Sequence, residues 1–301
     1  MTRSQIDKIG ENLRKTHPPD EGLLFKLQEF RATYDSTLAE VHTLVASTLA
    51  IEPTSRIKTV NTIVEKLVRS KTRLSSMQDI AGVRIVLDEQ ADLKSQDGAV
   101  ERLREAFGST KVDDLRKEPR HGYRAVHVIV RVNGFPVEVQ VRTKLQDLWA
   151  QGMEKLADRV GRGIRYGEPP TLELFGGIPV AKLVRYGIRW SELVRLNEER
   201  FVEMRELDED LSTAMNDVVS VEGMIREAES RLKDVGSDDA GRVDIETSLA
   251  ELKRELDERR EDHQHHELRA RALRASMLEA TTNLRTGLAE FSEAIELLSR
   301  Q

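Results

Sequence analysis

Three short segments combine acidic, basic and aromatic side chains in a way that suits phosphate chemistry. They are Asp79-Ile80-Ala81-Gly82-Val83-Arg84, His121-Gly122-Tyr123-Arg124-Ala125-Val126-His127 and Val137-Glu138-Val139-Gln140-Val141-Arg142. Carboxylates hold hard cations such as Mg²⁺, and arginine side chains bind phosphate oxygens. The three segments therefore point to a site that handles a polyphosphate.

The third segment predicts a strand with one polar face. Its valines alternate with Glu138, Gln140 and Arg142, and a period of two places these three side chains on the same side of a sheet. A solvated edge strand would show the same pattern.

A hairpin should join this strand to a partner. Asn133-Gly134 is a strong signal for a two-residue turn, so the run from Ala125 to Val132 is expected to pair antiparallel with the third segment. Tyr123 and His127 would then belong to the same polar surface.

The acids Asp79 and Glu138 come from different strands of the expected sheet. Mg²⁺ is usually held by one or two carboxylates together with substrate phosphate oxygens. The two residues therefore predict a shared Mg²⁺ site, whereas either acid alone would read as an ordinary surface charge.

Further groups of residues extend the pattern, and their order and spacing resemble the synthetase domain of the RelA/SpoT family over about residues 50–160. They are Arg56-Ile57-Lys58-Thr59, Lys66, Asp79 to Ile85, Gly122 to His127, Glu138 to Thr143, and Trp149-Ala150. In that family the domain moves a pyrophosphoryl group from ATP to the ribose 3′-hydroxyl of GDP or GTP, making ppGpp or pppGpp and releasing AMP. The resemblance implies an α+β fold with a mixed, nucleotidyltransferase-like sheet flanked by helices, and Mg²⁺ as the cofactor.

On the ATP side, the resemblance implies that Arg56 and Arg84 sandwich the adenine. Lys58 and Lys66 would hold the phosphates, and Asp79 would bind the metal ion. Guanidinium groups suit the first role because they are planar, always charged and stack on aromatic faces.

On the acceptor side, the resemblance implies that Glu138 binds or approaches the same metal ion and helps to deprotonate the attacking hydroxyl. Tyr123 would stack on the acceptor base. His127, Gln140 and Arg142 would lie nearer the sugar and phosphates of the acceptor.

Departures from the family pattern fall on the acceptor side. Ala125 replaces the usual serine, Gln151 to Leu156 lacks a usual histidine, and the basic loop before Tyr123 is altered. Two other acceptors thus stay open, as in toxin-type relatives: the 3′ end of tRNA, or an adenosine nucleotide. Residues 1–189 carry 31 basic and 25 acidic side chains, a balance that fits nucleotides without excluding tRNA.

A non-catalytic interaction protein is a third interpretation. Such a protein would have no need for Asp79 and Glu138 together with Arg56, Lys58 and Arg84, so catalysis is the favoured hypothesis.

The composition restricts where in the cell the protein is expected to act. The 301-residue chain has no cysteine, which excludes disulfides and thiolate metal sites. No stretch approaches the roughly 18 apolar residues of a membrane span, and the polar start of the chain lacks a signal sequence. We expect a soluble, cytoplasmic protein without membrane contact.

Two domains are expected: a synthetase domain with an N-terminal helix at residues 1–185, and a long helical hairpin at residues 186–301. Apolar spacing predicts one helix from Asp20 to Ala50. Residues 161–179 contain paired prolines and glycines typical of a linker. Arg162, Arg165 and Tyr166 in this segment could also contact a nucleotide.

Heptad spacing of apolar residues from Met204 to Leu232 and from Leu249 to Leu298 predicts an antiparallel coiled coil with a turn near Gly236 to Gly241. Its open seam predicts contact with the catalytic domain, with a second copy of the chain or with another protein. Three histidines near its middle, His263, His265 and His266, suggest a register-setting polar layer, a pH-sensitive contact or a metal site. Removing residues 190–301 is expected to alter assembly or regulation more than the reaction.

Overall fold

The computed structural model describes residues 1–16, 18–88, 92–236 and 240–299. In these ranges the chain forms seven strands, which are β1 Thr54–Ile57, β2 Ala81–Val86, β3 Thr110–Asp114, β4 Val126–Val132, β5 Phe135–Arg142, β6 Leu174–Phe175 and β7 Ile178–Pro179. It also forms eight α-helices, which are α1 Arg3–Lys15, α2 Glu21–Ala32, α3 Asp35–Leu49, α4 Val60–Ser70, α5 Leu93–Phe107, α6 Lys144–Val160, α7 Val180–Asp234 and α8 Ala240–Leu298. Short 3₁₀ helices occur at Leu74–Ser76 and Arg162–Tyr166.

The first five strands form one mixed sheet in the order β1-β2-β5-β4-β3. β2 and β5 run parallel, with Gly82 opposite Glu138 and Arg84 opposite Gln140, and the other neighbours pair antiparallel. Because side chains alternate across a strand, this register places Glu138, Gln140 and Arg142 on one face of the sheet. The α+β fold with a mixed sheet is confirmed.

The predicted hairpin between β4 and β5 is also confirmed. Asn133 and Gly134 form its turn with φ angles of 52° and 82°, which a two-residue turn of this type requires. The opposite face of the sheet is apolar: Val83, Val128 and Val139 are fully or almost fully buried against a core that α3 and α5 complete. Burial of these valines fixes the register, because a slip of one residue would turn them to the polar face.

The helix predicted from Asp20 to Ala50 is instead two helices, α2 and α3. The hydroxyl of Thr33 donates to the carbonyl of Phe30 at 2.6 Å, and Tyr34 N–H bonds Arg31 O, which ends α2 in a tight turn. Tyr34 then packs edge-on against Phe30 and Phe135, with ring centroids 5.7 and 4.9 Å away. The apolar spacing continued across the break, so periodicity alone could not reveal it.

The described chain divides into two compact units. The first comprises residues 1–195 with 285–301, and the second comprises residues 196–284. Within the second unit α7 and α8 run antiparallel, because Asp208 pairs with Arg274 and Glu222 pairs with Arg260. The long helical region is therefore confirmed. The coiled-coil seam stays a prediction, and Ser237 to Asp239 of the predicted turn lie outside the described residues.

The first unit extends past residue 185, the predicted domain boundary. Trp190 lies against Gly287, Phe291 lies against Gly152, and Lys155 pairs with Glu296. Both ends of the helical region thus pack with the sheet domain, although the division into domains stays a prediction. None of the helices in the described ranges combines the length and apolar character needed to cross a bilayer.

Candidate active site

A cleft of about 1040 Å³ lies over the polar face of the sheet. Its other walls come from α4, α6 and the 3₁₀ helix Arg162–Tyr166. It brings together nine of the predicted site residues, namely Arg56, Lys58, Lys66, Asp79, Tyr123, His127, Glu138, Gln140 and Arg142.

One side of the cleft, here called the donor side, is centred on Asp79. Lys58 N–H bonds the carbonyl of Ile80 at 2.8 Å, which holds the two segments next to each other. The ammonium of Lys58 lies 3.2 Å from Asp79 Oδ2, and Lys66 on α4 donates to the same oxygen. Thr59 caps α4 by accepting from Thr62 N–H and so fixes the start of the helix that carries Lys66. Two lysines therefore share one carboxylate oxygen.

The second oxygen of Asp79 makes the donor side incomplete. Asp79 Oδ1 is buried and has no hydrogen-bond partner within the described residues. A buried carboxylate oxygen without a partner is costly and calls for a donor or a cation. No group of three or more His, Cys, Asp or Glu side chains is arranged for metal binding in the described ranges. Asp79 nevertheless fits Mg²⁺, which is commonly held by one or two carboxylates plus substrate phosphates.

The other side of the cleft, here called the acceptor side, is a continuous hydrogen-bond network. Glu138 Oε1 lies 3.1 Å from His127 Nδ1, and His127 Nε2 lies 2.8 Å from the Tyr123 hydroxyl. Gln140 donates to Glu138 Oε2 at 2.6 Å, and one Arg142 nitrogen donates to both Gln140 and Tyr123 at 3.0 Å. Each carboxylate oxygen of Glu138 thus has a protein partner.

The network holds Glu138 ionised. Burial by itself raises the pKa of its carboxyl group, but the hydrogen bond and charge of His127, the hydrogen bond from Gln140 and the charge of Lys58 outweigh burial and lower the pKa to about 2. Lys58 therefore acts on both acids, since it also pairs with Asp79. Burial raises the pKa of the Tyr123 hydroxyl, against the effect of Arg142.

Comparison with known proteins identifies the region that carries the cleft. Residues 55–158 match the model of the region found in RelA/SpoT proteins. GTP pyrophosphokinase YwaC of Bacillus subtilis is 30% identical over 137 residues, which cover 40% of this chain and 65% of that protein. The chain contains a RelA/SpoT-family domain.

Other relatives of this RelA/SpoT domain differ in length. An uncharacterized protein of Mycobacterium tuberculosis is 45% identical over 133 residues, or 43% of this chain and 48% of the relative. The chain thus spans about half the length of the first curated relatives it matches. A probable chloroplastic GTP diphosphokinase of Arabidopsis thaliana is 30% identical over 97 residues, covering 32% of this chain and 14% of that protein.

Among solved structures, the complex of the Type VI effector Tas1 with its immunity protein matches 63% of this chain and 98% of the other chain. The TM-score is 0.32 at 13% identity, a similarity too weak to identify a fold.

One predicted residue of the RelA/SpoT domain, Arg84, lies on the polar face of the sheet opposite Gln140 and is paired with α6. Arg84 is not among the described residues that line the cleft, and its guanidinium nitrogens lie 3.8 Å from Asp147 and 3.7 Å from Glu154 on α6. Burial and the nearby charge of Arg142 lower the pKa of Arg84. Arg56 lies on the same face of the sheet, since it pairs with Gly82 two positions before Arg84.

The acids Asp147 and Glu154 on α6 are partners of the predicted arginines that the sequence did not reveal, and Glu154 lines the cleft. Asp147 is buried and accepts from the Arg142 guanidinium at 3.0 Å, while Glu154 lies 3.2 Å from Arg165. Their signal was the spacing of polar residues at 147, 151, 154 and 158, which places them along one face of the helix. Arg84 and Arg142 of the sheet therefore both have partners on α6.

The loop that carries Tyr123 is held by a second group of missed residues. Gly122 has a φ angle of +86° and lies so close to Trp149 that a Cβ atom would clash at 2.9 Å. Buried Arg124 donates to Ser191 at 3.0 Å and pairs with Glu192 at 3.0 Å. The first turns of α7 thus fix the loop, a contact across 67 residues that no local pattern predicts.

Proposed function

We propose that this chain is a Mg²⁺-dependent pyrophosphokinase that transfers the pyrophosphoryl group of ATP to the 3′-hydroxyl of GDP or GTP. The observation that supports this most directly is the composition of one cleft in the RelA/SpoT domain. The cleft joins Asp79, whose Oδ1 has no partner in the described part of the chain, to two lysines and to an ionised Glu138 on β5. The relatives named GTP pyrophosphokinase and GTP diphosphokinase support the same reaction class.

The donor side would bind the ATP phosphates. Lys58 and Lys66 supply positive charge where negative charge builds up during transfer, and such fixed charges act strongly in a partly desolvated cleft. Asp79, with Glu138 nearby, would hold Mg²⁺, which when bound neutralises charge on the phosphates. In the proposed step the acceptor 3′ oxygen bonds to the β-phosphorus of ATP and gives up its proton to the solvent. The bond from that phosphorus to the oxygen shared with the α-phosphorus breaks, so that AMP leaves with the electron pair.

The acceptor side would align the attacking hydroxyl. Glu138 is held as an anion, so it can accept a hydrogen bond from the 3′-hydroxyl and orient its lone pair. A pKa of about 2 makes this carboxylate a weak base, so orientation and cation binding fit it better than removing the proton by itself. The Tyr123 ring, fixed by His127 and Arg142, would face the acceptor base.

The proposal includes a cytoplasmic location, since its substrates are ATP and a guanosine nucleotide. It also includes a second copy of the chain or another protein as a partner for the helical region. Apolar side chains of this region, such as Met215 and Leu278, are 49% and 73% exposed and lie open to such a partner.

A product analysis tests the reaction. The full-length protein is incubated with ATP, Mg²⁺ and labelled GDP, GTP, an adenosine nucleotide or uncharged tRNA, and AMP and labelled products are measured. We expect Asp79→Asn and Glu138→Gln each to lower turnover by about a hundredfold or more. Asp88→Asn, an exposed acid just after β2, is the matched control and should keep wild-type turnover.

The choice of acceptor decides between related activities. Labelled product from GDP or GTP supports the proposal, and product from tRNA or an adenosine nucleotide alone replaces its acceptor. If the folded protein forms no AMP with any acceptor, the non-catalytic interpretation takes its place. Turnover that survives both substitutions refutes the assigned carboxylates.

A further inference from the structure

The loop that carries Tyr123 comprises residues 115–125, between β3 and β4, and is here called the Tyr123 loop. Its ends are joined because Leu115 N–H bonds the carbonyl of Ala125 at 3.0 Å. A loop of this length would lose conformational entropy if it became ordered only when a ligand bound. The residues that fix it in the free protein therefore bear on ligand affinity.

Ser191 on α7 makes two hydrogen bonds to the Tyr123 loop. Its hydroxyl donates to the carbonyl of Gly122, and its oxygen accepts from Arg124 Nε at 3.0 Å. Gly122 and Arg124 are the two neighbours of Tyr123 in the sequence. Ser191 is buried, and by holding both neighbours it restricts the backbone of Tyr123 itself.

Arg124 extends this restraint to the start of the loop. Its guanidinium also donates to the carbonyl of Arg116 and pairs with Glu192 on α7 at 3.0 Å. Arg124 is buried, so these acceptors replace the water that a cation would otherwise bind. Removing the Ser191 hydroxyl would leave both the Gly122 carbonyl and Arg124 Nε with one partner fewer.

A contact with α6 fixes the segment of α7 that carries Ser191. Trp149 Nε1 donates to the carbonyl of Gly187 at 2.6 Å, one helical turn before Ser191, and the ring of Trp149 also lies against Gly122. Trp149 lines the cleft, whereas Ser191 is not among the described residues that line it. Ser191 can therefore act on a ligand in the cleft only through other residues.

We propose that Ser191 is a positioning residue for the acceptor nucleotide. Through Gly122 and Arg124 it holds the Tyr123 ring in the position where the acceptor base stacks. This inference rests on the proposed function and adds a residue outside the matched range 55–158. A loop that is fixed before the acceptor arrives loses less entropy when the acceptor binds. The benefit falls on the acceptor and not on ATP, because the lysines of the donor side lie outside the loop.

Steady-state kinetics of the full-length protein with ATP, Mg²⁺ and GDP test the proposal. Ser191→Ala removes both hydrogen bonds to the loop, and Glu192→Gln keeps a neutral hydrogen-bond acceptor in place of the carboxylate. The matched control is Thr281→Val, which removes a hydroxyl that bonds buried Asn197, further along α7, at 3.1 Å. Thermal melting of each variant without ligand checks folding. Hydrogen exchange of the Tyr123 loop in the free protein reports the order of the loop without turnover.

We expect Ser191→Ala to raise the KM for GDP about tenfold or more, because GDP must then order the loop. The KM for ATP and kcat should stay within about twofold of the wild type, since the loop reaches the same position once GDP is bound. Exchange of the Tyr123 loop should become about tenfold faster, with no change in α4. Glu192→Gln should raise the KM for GDP by no more than about threefold, because Glu192 is half exposed and glutamine still accepts a hydrogen bond. Thr281→Val should match the wild type in all three kinetic constants.

An unchanged KM for GDP in Ser191→Ala overturns the proposal, as does a loss confined to kcat or a KM for ATP that rises as much as that for GDP. An equal rise in Thr281→Val also overturns it, because the effect would then follow from lost stability and not from the loop. Unchanged exchange of the Tyr123 loop in Ser191→Ala refutes the step from Ser191 to Tyr123. Failure of the proposed function looks different. The wild type would then form no labelled product from GDP or GTP, while exchange of the loop would still depend on Ser191.

Discussion

The two sides of the cleft differ in how many protein partners their buried carboxylate has. On the acceptor side both oxygens of Glu138 have protein partners, and a chain of contacts runs from Glu138 through His127 and Tyr123 to Arg142. On the donor side one oxygen of Asp79 takes two lysines and the other takes no described partner.

This difference indicates which side is preorganised. A closed network stabilises the folded chain and holds its side chains in place before any ligand arrives. On the donor side, Asp79 Oδ1 has no partner among the described residues and two lysines share the other oxygen, which leaves interactions to be completed by a cation and an anion. We therefore expect substitutions on the acceptor side to reduce stability, and substitutions on the donor side to reduce ligand binding.

The largest effect is expected from truncation. Removal of residues 190–301 deletes Ser191 and Glu192, leaves the Arg124 guanidinium buried with fewer partners, and takes away the segment 285–301 that belongs to the first unit. We expect this fragment to lose cooperative thermal unfolding, because an uncompensated buried charge alone costs roughly 3–5 kcal/mol. This expectation differs from the prediction made from sequence, in which the truncation alters assembly or regulation more than the reaction.

A second deletion distinguishes the loss of the second unit from the loss of the segments of α7 and α8 that belong to the first unit. Replacing residues 196–284 by a short Gly/Ser linker keeps Ser191, Glu192 and residues 285–301, and the linker spans a short distance because Asn197 and Thr281 are hydrogen-bonded at 3.1 Å. This protein should melt cooperatively and retain the Tyr123 loop. A stable, active fragment 1–189 would contradict the inferred role of α7 in holding the acceptor side.

Arg142→Met is expected to have the next largest effect. Arg142 is 1% exposed and pairs with Asp147 at 3.0 Å, so its removal leaves a buried carboxylate with less compensation. Loss of such a partner costs about 3–5 kcal/mol of the free energy of unfolding, measured by denaturant titration. Arg104→Met is the control, since its pair with Glu101 is exposed and should contribute under about 1 kcal/mol. Equal losses in the two variants would show that the acceptor network adds no special stability.

The pH dependence of stability tests the charge of Glu138. Its folded-state pKa of about 2 lies below the ordinary 4.5, so folding favours the ionised form. The resulting stabilisation, on the order of 3 kcal/mol, is fully present above about pH 4.5 and is lost as the pH falls towards 2. The difference in unfolding free energy between wild type and Glu138→Gln should therefore shrink between pH 6 and pH 3. A constant difference would mean that the network does not hold the carboxylate as an anion.

The parts of the molecule that sequence could predict are those set by local pattern. The alternation of valines with polar residues predicted that one face of β5 is polar. Asn133-Gly134 predicted the hairpin because both residues readily adopt the positive φ angles that this turn requires. In each case a few adjacent residues carry the physical cause.

The parts that could not be predicted depend on contacts between distant segments. Asp147 and Glu154 pair with Arg142 and Arg84 from a separate helix. Ser191 reaches the Tyr123 loop from α7. Arg84 was expected on the adenine and is held beside α6 by Asp147 and Glu154, so its role at the adenine stays a prediction. The type and spacing of residues in a sequence show where a charged side chain lies on a strand. They do not show which distant side chain will pair with it.

The smallest change in stability is expected for Lys66→Gln, the donor-side counterpart of Arg142→Met. Lys66 is about one quarter exposed and Lys58 still pairs with Asp79 after the substitution, so solvent and a second cation both limit the loss. The free energy of unfolding should fall by about 1 kcal/mol or less. Affinity for a non-hydrolysable ATP analogue should nevertheless fall about tenfold or more, because the lost ammonium would bind phosphate. A stability loss as large as that of Arg142→Met, with unchanged affinity for the analogue, would erase the distinction between an open donor side and a closed acceptor side.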